Sequence, residues 1–217
     1  LVFINGLVLM FVGKIRFQFI AKVLGMALIG VFIIYASAKW TPLGTSVMPR
    51  SATWVSRVDN FLLGGDEQQM DKDYQQTQAL VAIQNGGIYG VGPGKSTQRS
   101  ILPYSESDFI YAIVLEEYGL LGGFSAILFY LILLFRAVRI SLKSESIFGS
   151  LVAIGLMFSL VFQAFINMLV SVEVIPVTGQ TLPLISMGGT SIVFSCIAIG
   201  IVLSISRNSL EGEYEKA

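Results

Sequence analysis

The sequence predicts an all-α fold, a polytopic bundle of membrane helices, from the distribution of its apolar and charged residues. Hydrophobic residues make up 54% of the chain and charged residues 13%, whereas soluble domains carry roughly 25% charged residues. Several apolar runs reach the length of about 18 residues or more that is typical of a membrane-spanning helix. One long polar stretch, punctuated by prolines, separates these runs. We therefore expect an integral membrane protein with one large extracytoplasmic loop that carries short amphipathic helices.

The composition also excludes several functional classes. The 14 basic and 14 acidic residues cancel, so a nucleic-acid-binding surface is not expected. The chain contains no histidine, which excludes His-based acid–base catalysis and His metal ligands. The single cysteine, Cys196, lies in an apolar run, so neither an internal disulfide nor a thiolate metal cluster is expected.

Residues 1–40 are predicted to contain two membrane segments. Residues 1–13 are apolar but too short to span a bilayer, and we interpret them as the tail of a truncated helix in the later part of a longer protein. Residues 17–38 have about the right length for a complete membrane helix. Lys39 and Trp40 close this run with the kind of residues that favour the interface.

Residues 41–107 form the predicted extracytoplasmic loop. Within it, residues 51–63 and 73–84 show features of amphipathic helices that lie at the membrane surface. The second of these ends at Asn85-Gly86-Gly87, a typical helix stop. Aromatic residues and the periodicity disfavour a disordered loop.

Residues 108–217 are predicted to form three membrane helices and a short cytoplasmic tail. The apolar runs cover residues 109–135, residues 147–172 and a last segment that ends near Ser206. If Lys14 and Arg16 are cytoplasmic, this topology places every other short basic cluster on the same side, as the positive-inside rule expects. The loop at 41–107 and the loop at 173–190 are then both extracytoplasmic.

The glycine-rich stretch NGGIYGVGPGKS, residues 85–96, allows two interpretations. It is not a Walker A loop, because Tyr89 stands where the first glycine of that motif is required. It is either a flexible turn or a backbone nest that binds an anion together with Lys95 and Arg99. Two cations beside five glycines favour the nest.

Asp108 begins a membrane helix, and two interpretations of it are equally open from these residues alone. An acid at a helix start is favoured by the helix dipole, and Ser105 or Ser107 can cap that helix. The functional alternative is a general base at the water–lipid boundary, next to the cationic patch.

Glu116 and Glu117 follow about 12 Å further along the same helix, within the apolar zone. Acids at such a depth usually face the interior of a bundle. Glu116 lies about 80° around the helix from Asp108, and is therefore better placed than Glu117 to serve the same cavity.

The last loop and the helix before it supply further polar candidates. Gln180, Thr181 and Ser186 could line a watery cavity, or Gly188-Gly189 could simply permit close helix packing. Gln163 and Asn167, one turn apart in the preceding helix, favour helix–helix hydrogen bonds over ligand binding.

Two long motifs resemble a known family. GGIYGVGPGKSTQRSILPYSESDFIYAIVLEEYGLLGG is similar to the large extracytoplasmic loop and following helix of the SEDS (shape, elongation, division and sporulation) family. PVTGQTLPLISMGGTS, with the SISR that ends the last helix, is similar to the family's C-terminal signature. The chain resembles the C-terminal half of such a protein, and TWVSRVDNFL resembles the division members more than the elongation members.

The resemblance implies a peptidoglycan glycosyltransferase that polymerises lipid II at the outer face of the bacterial cytoplasmic membrane. Asp108 matches the essential acid of the family's DFIF motif, which reads DFIY here. The sequence departs from the family at Glu106-Ser107, where His-Thr is usual, and at Leu115, where glycine is usual.

The implied mechanism is a single inverting displacement, with Asp108 as general base towards the acceptor sugar's 4-hydroxyl. Charge on the leaving pyrophosphate is offset by Lys95 and Arg99, and a divalent cation (Mg²⁺ or Mn²⁺) could share that role. No organic cofactor is expected. The expected substrate-binding residues are Lys95, Ser96, Gln98, Arg99, Glu116, Gln180 and Ser186.

The implied partners are lipid II, undecaprenyl-linked glycan, a class B penicillin-binding protein and other membrane proteins of the division or elongation machinery. Two rival functions remain: a lipid II flippase and a non-catalytic division scaffold. A flippase should need polar groups along the full depth of the membrane, whereas those of this sequence crowd at the outer end.

Overall fold

The computed structural model describes residues 2–40, 70–100, 108–144 and 146–214. All regular structure within these ranges is helical, which confirms the predicted all-α class. The predicted helix at 51–63 and the capping candidates Ser105 and Ser107 lie outside the described residues. The six described α-helices are α1 (Val2–Val12), α2 (Phe17–Trp40), α3 (Met70–Gly86), α4 (Ile110–Lys143), α5 (Ile147–Ser171) and α6 (Gly189–Tyr214).

The chain divides into two compact units. One unit is Met10–Lys72, in which α2 covers the predicted membrane segment at 17–38. The other unit combines Leu1–Leu9 with Asp73–Ala217 and contains α4, α5, α6 and most of α3. Three helices of this second unit are long and apolar enough to cross a membrane: Ile110–Lys143, Ile147–Ser171 and Gly189–Arg207.

The three long helices pack together, and α5 contacts both α4 and α6. At one end of the bundle, Ala137 of α4, Ala153 and Met157 of α5 and Val202 of α6 form a buried cluster. A larger buried cluster joins the middle of the bundle to the loop between α5 and α6, residues 172–188, which we call the outer loop because the sequence predicts it to be extracytoplasmic. Its members come from α4, α5 and the loop that follows α5: Tyr111, Leu115, Tyr130, Leu160, Val161, Ala164, Met168 and Leu182.

Helix α3 packs on the bundle instead of lying apart from it as a purely surface helix. Its small residues Ala79 and Ala82 are buried against Phe109 and Ala112 at the beginning of α4. The alanines allow the two helices to approach closely. The predicted helix at 73–84 is thus correct in type, and it runs from Met70 to Gly86.

Helix α4 is broken at Gly119, whose backbone dihedral angles are φ 66° and ψ −165°. This region of conformational space is essentially restricted to glycine. A Cβ atom at Gly119 would lie 2.3 Å from the carbonyl oxygen of Ile88. The break therefore requires glycine both for its dihedral angles and for the close approach of the glycine-rich loop.

The glycine-rich loop supplies the hydrogen bonds that the break removes from α4. A helix end leaves backbone N–H and C=O groups without partners inside the helix. Here both kinds of group bind the loop backbone. The bonds are Val91 N–H to Glu116 O (3.0 Å), Gly92 N–H to Glu117 O (3.0 Å), Leu120 N–H to Gly87 O (3.0 Å) and Leu121 N–H to Ile88 O (3.4 Å).

The break also changes where Glu116 and Glu117 lie relative to the membrane, since the sequence placed them within the apolar zone. Residues 120–143 alone rise about 36 Å, enough for a hydrocarbon core of about 30 Å. Most side chains before the break are buried in protein, whereas Leu120, Leu121 and Phe124 just after it are exposed. Glu116 and Glu117 thus lie on a short protein-covered segment that precedes a helix of membrane-spanning length.

Candidate functional site

Asp108 lies just outside α4. The helix begins at Ile110, and its N-cap residue is Phe109, which makes no side-chain capping hydrogen bond. Asp108 therefore occupies the position before the cap, and not the first turn. Phe109 is buried against α3 and fixes the backbone here, while Asp108 itself is half-buried.

Asn167 of α5 ties the backbone of Asp108 to the outer loop. Its side-chain amide donates to the carbonyl oxygens of Asp108 (2.7 Å) and Gln180 (2.6 Å). One turn earlier, Gln163 donates to the carbonyl oxygen of Thr181 at 3.0 Å. The prediction of helix–helix hydrogen bonds is therefore wrong in detail, because both amides bind backbone outside the helices.

The outer loop brings Gly179 beside the carboxylate of Asp108. Gly179 has φ 67°, and a Cβ atom at this position would lie 3.8 Å from Oδ2 of Asp108. Glycine thus permits both the turn and an uncrowded approach to the acid. Gln180 follows directly, so the structure brings two of the predicted site residues to the same place.

Glu116 binds the segment that carries the predicted cations. Its carboxylate accepts hydrogen bonds from the hydroxyl of Ser96, from the hydroxyl and N–H of Thr97 (2.9 and 3.3 Å) and from the N–H of Gln98 (3.4 Å). The Glu116 residue is only 1% exposed. The described contacts of this acid are therefore with the loop.

Lys95 and Arg99 flank the three residues that Glu116 binds, and both are exposed. The N–H of Arg99 donates to the hydroxyl oxygen of Ser96 at 3.1 Å, and the 3-10 helix Gln98–Ser100 includes Arg99. The predicted pair of cations is thus held on one short, bonded segment.

The predicted anion nest is wrong for the central amides of the glycine-rich loop. The amides of Val91 and Gly92 donate to α4, and the amide of Gly90 donates to the carbonyl oxygen of Gly86 at 2.7 Å. These N–H groups are engaged by the protein. The glycines instead allow the loop to fill the break in α4, a role that sequence spacing did not reveal.

Ser186 closes a turn of the outer loop. Its hydroxyl accepts from the N–H of Leu182 at 2.7 Å, and the residue is 1% exposed. Tyr130 of α4 donates to the carbonyl oxygen of Pro183 in the same turn. These contacts give Ser186 a position inside the loop, whereas Gln180 is half-buried.

A cavity of about 390 Å³ lies between α5, α6 and the outer loop. Of the three residues that could line a cavity from sequence, Thr181 lines this one, whereas Gln180 and Ser186 do not, and neither does Asp108. Its other polar lining residues are Ser159, Gln163, Thr190, Ser191 and Ser195. None of the described residues that line this cavity is charged.

Three buried oxygen atoms near these segments lack a hydrogen-bond partner in the described part of the chain: Oε1 of Gln98, Oδ1 of Asn167 and Oγ1 of Thr178. Sequence reasoning missed Asn167 and Thr178 as site residues. Only the spacing of Gln163 and Asn167 on an apolar helix could have indicated the first of them.

Fold and site together define a polytopic helical membrane protein with an acid at the start of a long apolar helix, beside the loop that follows α5. The profile of the FtsW/RodA/SpoVE family of cell cycle proteins matches residues 1–211. The chain therefore belongs to this family, which includes the SEDS proteins that its motifs resemble.

Two curated relatives illustrate the similarity. Stage V sporulation protein E of Bacillus subtilis (strain 168) is 40% identical over 71% of this chain and 42% of its own length. The probable peptidoglycan glycosyltransferase FtsW of Hydrogenovibrio crunogenus is 35% identical over 89% of this chain and 53% of its own length. The chain thus spans about half the length of these relatives.

A solved structure supports the fold. A chain in the work "Structural coordination of polymerization and crosslinking by a peptidoglycan synthase complex" superposes with a TM-score of 0.69. The match covers 94% of this chain and 53% of that chain, at 23% sequence identity.

Proposed function

We propose that the full-length protein containing this sequence is a peptidoglycan glycosyltransferase, which polymerises lipid II at the outer face of the bacterial cytoplasmic membrane. Family membership and the glycosyltransferase function for which the FtsW relatives are named support the class of reaction. The observation that carries the assignment to residues is the position of Asp108. Its backbone is bound to Asn167, and its carboxylate lies beside Gly179 of the outer loop.

Asp108 acts as the general base. It accepts the proton of the acceptor sugar's 4-hydroxyl while that oxygen attacks the anomeric carbon of the donor, and the configuration at this carbon is inverted. Lys95 and Arg99 stabilise the negative charge that develops on the leaving lipid pyrophosphate. Lys95 and Arg99 lie on one short segment that is held by hydrogen bonds. We therefore assign both cations to the same group of the substrate.

The remaining polar residues divide into two roles. Gln98 and Gln180 contribute amide groups to substrate binding, and Ser96 shapes the segment between the cations through its bond with Glu116. Ser186 acts through the turn that it closes. The division rests on one difference: the hydroxyl groups of Ser96 and Ser186 already bind the protein.

A divalent cation is compatible with this arrangement. The described residues contain no group of three or more Asp, Glu, Cys or His side chains that could hold a metal ion. Mg²⁺ commonly binds through one or two carboxylates and completes its shell with substrate phosphates and water. Mg²⁺ or Mn²⁺ would be held mainly by the pyrophosphate oxygens and water, so that the carboxylate of Asp108 still serves as the base, and the ion would offset leaving-group charge.

The proposed partner is a class B penicillin-binding protein, which would crosslink the new glycan strands. The solved structure of similar fold belongs to a peptidoglycan synthase complex that coordinates polymerisation and crosslinking, which supports this pairing. Other membrane proteins of the division or elongation machinery would assemble with the pair.

The test is polymerisation of lipid II by the full-length protein with its penicillin-binding partner, comparing wild type with Asp108→Asn. Asparagine keeps the size of the side chain but does not serve as the base, so polymer formation should fall by about 10²- to 10⁴-fold. Glu173→Gln is the matched control, because Glu173 is an exposed acid in the outer loop. Normal polymerisation by Asp108→Asn would contradict the assignment of Asp108 as the base, whereas a wild-type protein that forms no polymer would favour the flippase or scaffold function.

A further inference from the structure

We propose that Glu116 is a positioning residue, which holds the 95–99 segment so that Lys95 and Arg99 can engage the pyrophosphate of the lipid substrate. This inference rests on the glycosyltransferase function proposed above and deepens it. It assigns Glu116 a role different from the direct substrate contact that the sequence suggested.

The first argument is the completeness of the contact between Glu116 and the loop. Both carboxylate oxygens accept hydrogen bonds, and the donors belong to the consecutive residues Ser96, Thr97 and Gln98. A two-oxygen contact with three neighbouring residues fixes the orientation of the segment as well as its distance. Hydrogen bonds to a carboxylate are also stronger than those between neutral groups.

The second argument is the short connection from Glu116 to both cations. Lys95 directly precedes Ser96, and the N–H of Arg99 donates to the same Ser96 hydroxyl oxygen that binds Glu116. On the other side, the N–H of Lys95 donates to the carbonyl oxygen of Gly92 at 3.2 Å. Gly92 in turn donates to the carbonyl oxygen of Glu117, so α4 holds the segment at two points.

The third argument concerns charge and exposure. A carboxylate in direct contact with a pyrophosphate would repel it, and Glu116 is 1% exposed with its oxygens already bound to protein donors. The exposed side chains on either side are the cations. The acid therefore acts on the substrate through the loop.

The test combines amide hydrogen exchange with kinetics on the full-length protein and its partner. The variants are Glu116→Gln and, as the matched control, Glu117→Gln, a neighbouring acid whose described contact with the loop is made by its backbone carbonyl. Glutamine keeps the shape of the side chain but replaces one carboxylate oxygen by an NH₂ group. This group is a donor, and it would face the N–H of Thr97 or that of Gln98, which is also a donor. Exchange at these two amides should rise by about tenfold or more, because a hydrogen bond to a charged acceptor is lost.

The kinetic readout separates positioning from chemistry. With lipid II as substrate, Glu116→Gln should raise the apparent KM about tenfold while kcat changes less, since the base Asp108 remains in place. Combining Glu116→Gln with Lys95→Ala should cost less than the product of the two single effects, because both act on the same contact. A purely structural role for Glu116 would give independent effects.

A second pair of variants covers the case in which Glu116→Gln fails to fold. Thr97→Val removes one hydroxyl donor to Glu116, whereas Thr97→Ser retains it. The valine variant should show faster exchange at 97–98 and a higher KM, and the serine variant should behave like wild type.

Unchanged exchange at 97–98 in both Glu116→Gln and Thr97→Val would overturn the proposal, as would additive effects with Lys95→Ala. A wild-type protein that forms no polymer would instead contradict the proposed function and the substrate role of the cations. The exchange measurement needs no activity and would still decide whether Glu116 holds the loop.

Discussion

At the scale of single residues, Asn167 connects two parts of the backbone that sequence keeps far apart. It is 1% exposed, and its amide nitrogen donates to both the carbonyl oxygen of Asp108 and that of Gln180. A buried amide that donates twice fixes the distance between the two carbonyls. The separation of the acid from the outer loop therefore depends on one side chain of α5.

Replacing Asn167 by leucine should lower both stability and activity. Leucine is similar in size but removes the two hydrogen bonds that Asn167 donates to carbonyl oxygens, at a cost of roughly 0.5–1.5 kcal/mol for each. The thermal denaturation midpoint of the detergent-solubilised full-length protein should fall, and lipid II polymerisation should fall with it.

The control for this variant is Ser171→Ala, one turn further along α5. Ser171 is equally buried, but its hydroxyl donates to the carbonyl oxygen of Asn167 in the same helix. Its removal should change the denaturation midpoint little. A comparable fall of the denaturation midpoint in both variants would show that the contact of Asn167 with the loop contributes no more to stability than a hydrogen bond within α5.

The sequence predicted the positions of the ionisable residues in this region better than their contacts. The position of Asp108 at a helix start and the grouping of Lys95 with Arg99 could be read from residue types and motif spacing. The loop residues that bind Glu116 could not be predicted in this way. Helical geometry gives the direction in which a side chain points, but not which loop lies in that direction. The anion nest was predicted wrongly for the same reason, because the amides of Val91 and Gly92 donate to α4 at its break.

At the scale of elements, the break in α4 lets one helix serve two environments. Its first part packs against α3 and the loops, and its second part presents exposed apolar residues such as Leu121 and Phe124. The apolar run at 109–135 contains Glu116-Glu117 and Gly122-Gly123, but these residues do not indicate a break at Gly119. Three glycines lie close together there, and only the close approach of Ile88 and Gly90 selects one of them.

Gly119→Ala should strongly destabilise the protein. The dihedral angles alone cost about 1–3 kcal/mol for a residue with a Cβ atom, and this atom would also lie 2.3 Å from the carbonyl oxygen of Ile88 and 2.5 Å from the nitrogen of Gly90. The measurement is the yield and denaturation midpoint of the purified protein.

Gly200→Ala in α6 is the matched control for Gly119→Ala. A Cβ atom there has no neighbour within 4 Å in the described structure, and alanine is favoured over glycine in a helix interior by roughly 0.5–1 kcal/mol. It should be neutral or slightly stabilising. A Gly119→Ala protein as stable as wild type would mean that α4 can run straight and that the loop need not fill a break.

At the scale of the whole molecule, the distribution of basic residues and the break in α4 give a consistent orientation. Arg136, Arg139 and Lys143 lie at the end of α4, and the positive-inside rule assigns that end to the cytoplasm. The glycine-rich loop contacts α4 at the other end of the part that can span the bilayer. This orientation would place Lys95, Arg99 and Asp108 on the outer side, as the proposed polymerisation at the outer face requires.

Single cysteines at the two ends of this helix test the orientation. Tyr89 in the glycine-rich loop is 82% exposed and Leu142 near the end of α4 is 81% exposed. In a Cys196→Ala background, a membrane-impermeant maleimide should label Tyr89→Cys in intact spheroplasts and Leu142→Cys only after permeabilisation. Because the two cysteines lie at opposite ends of a segment of about 36 Å, labelling of both from outside would contradict a membrane-spanning α4. The reverse pattern would place Asp108 on the cytoplasmic side and contradict polymerisation at the outer face.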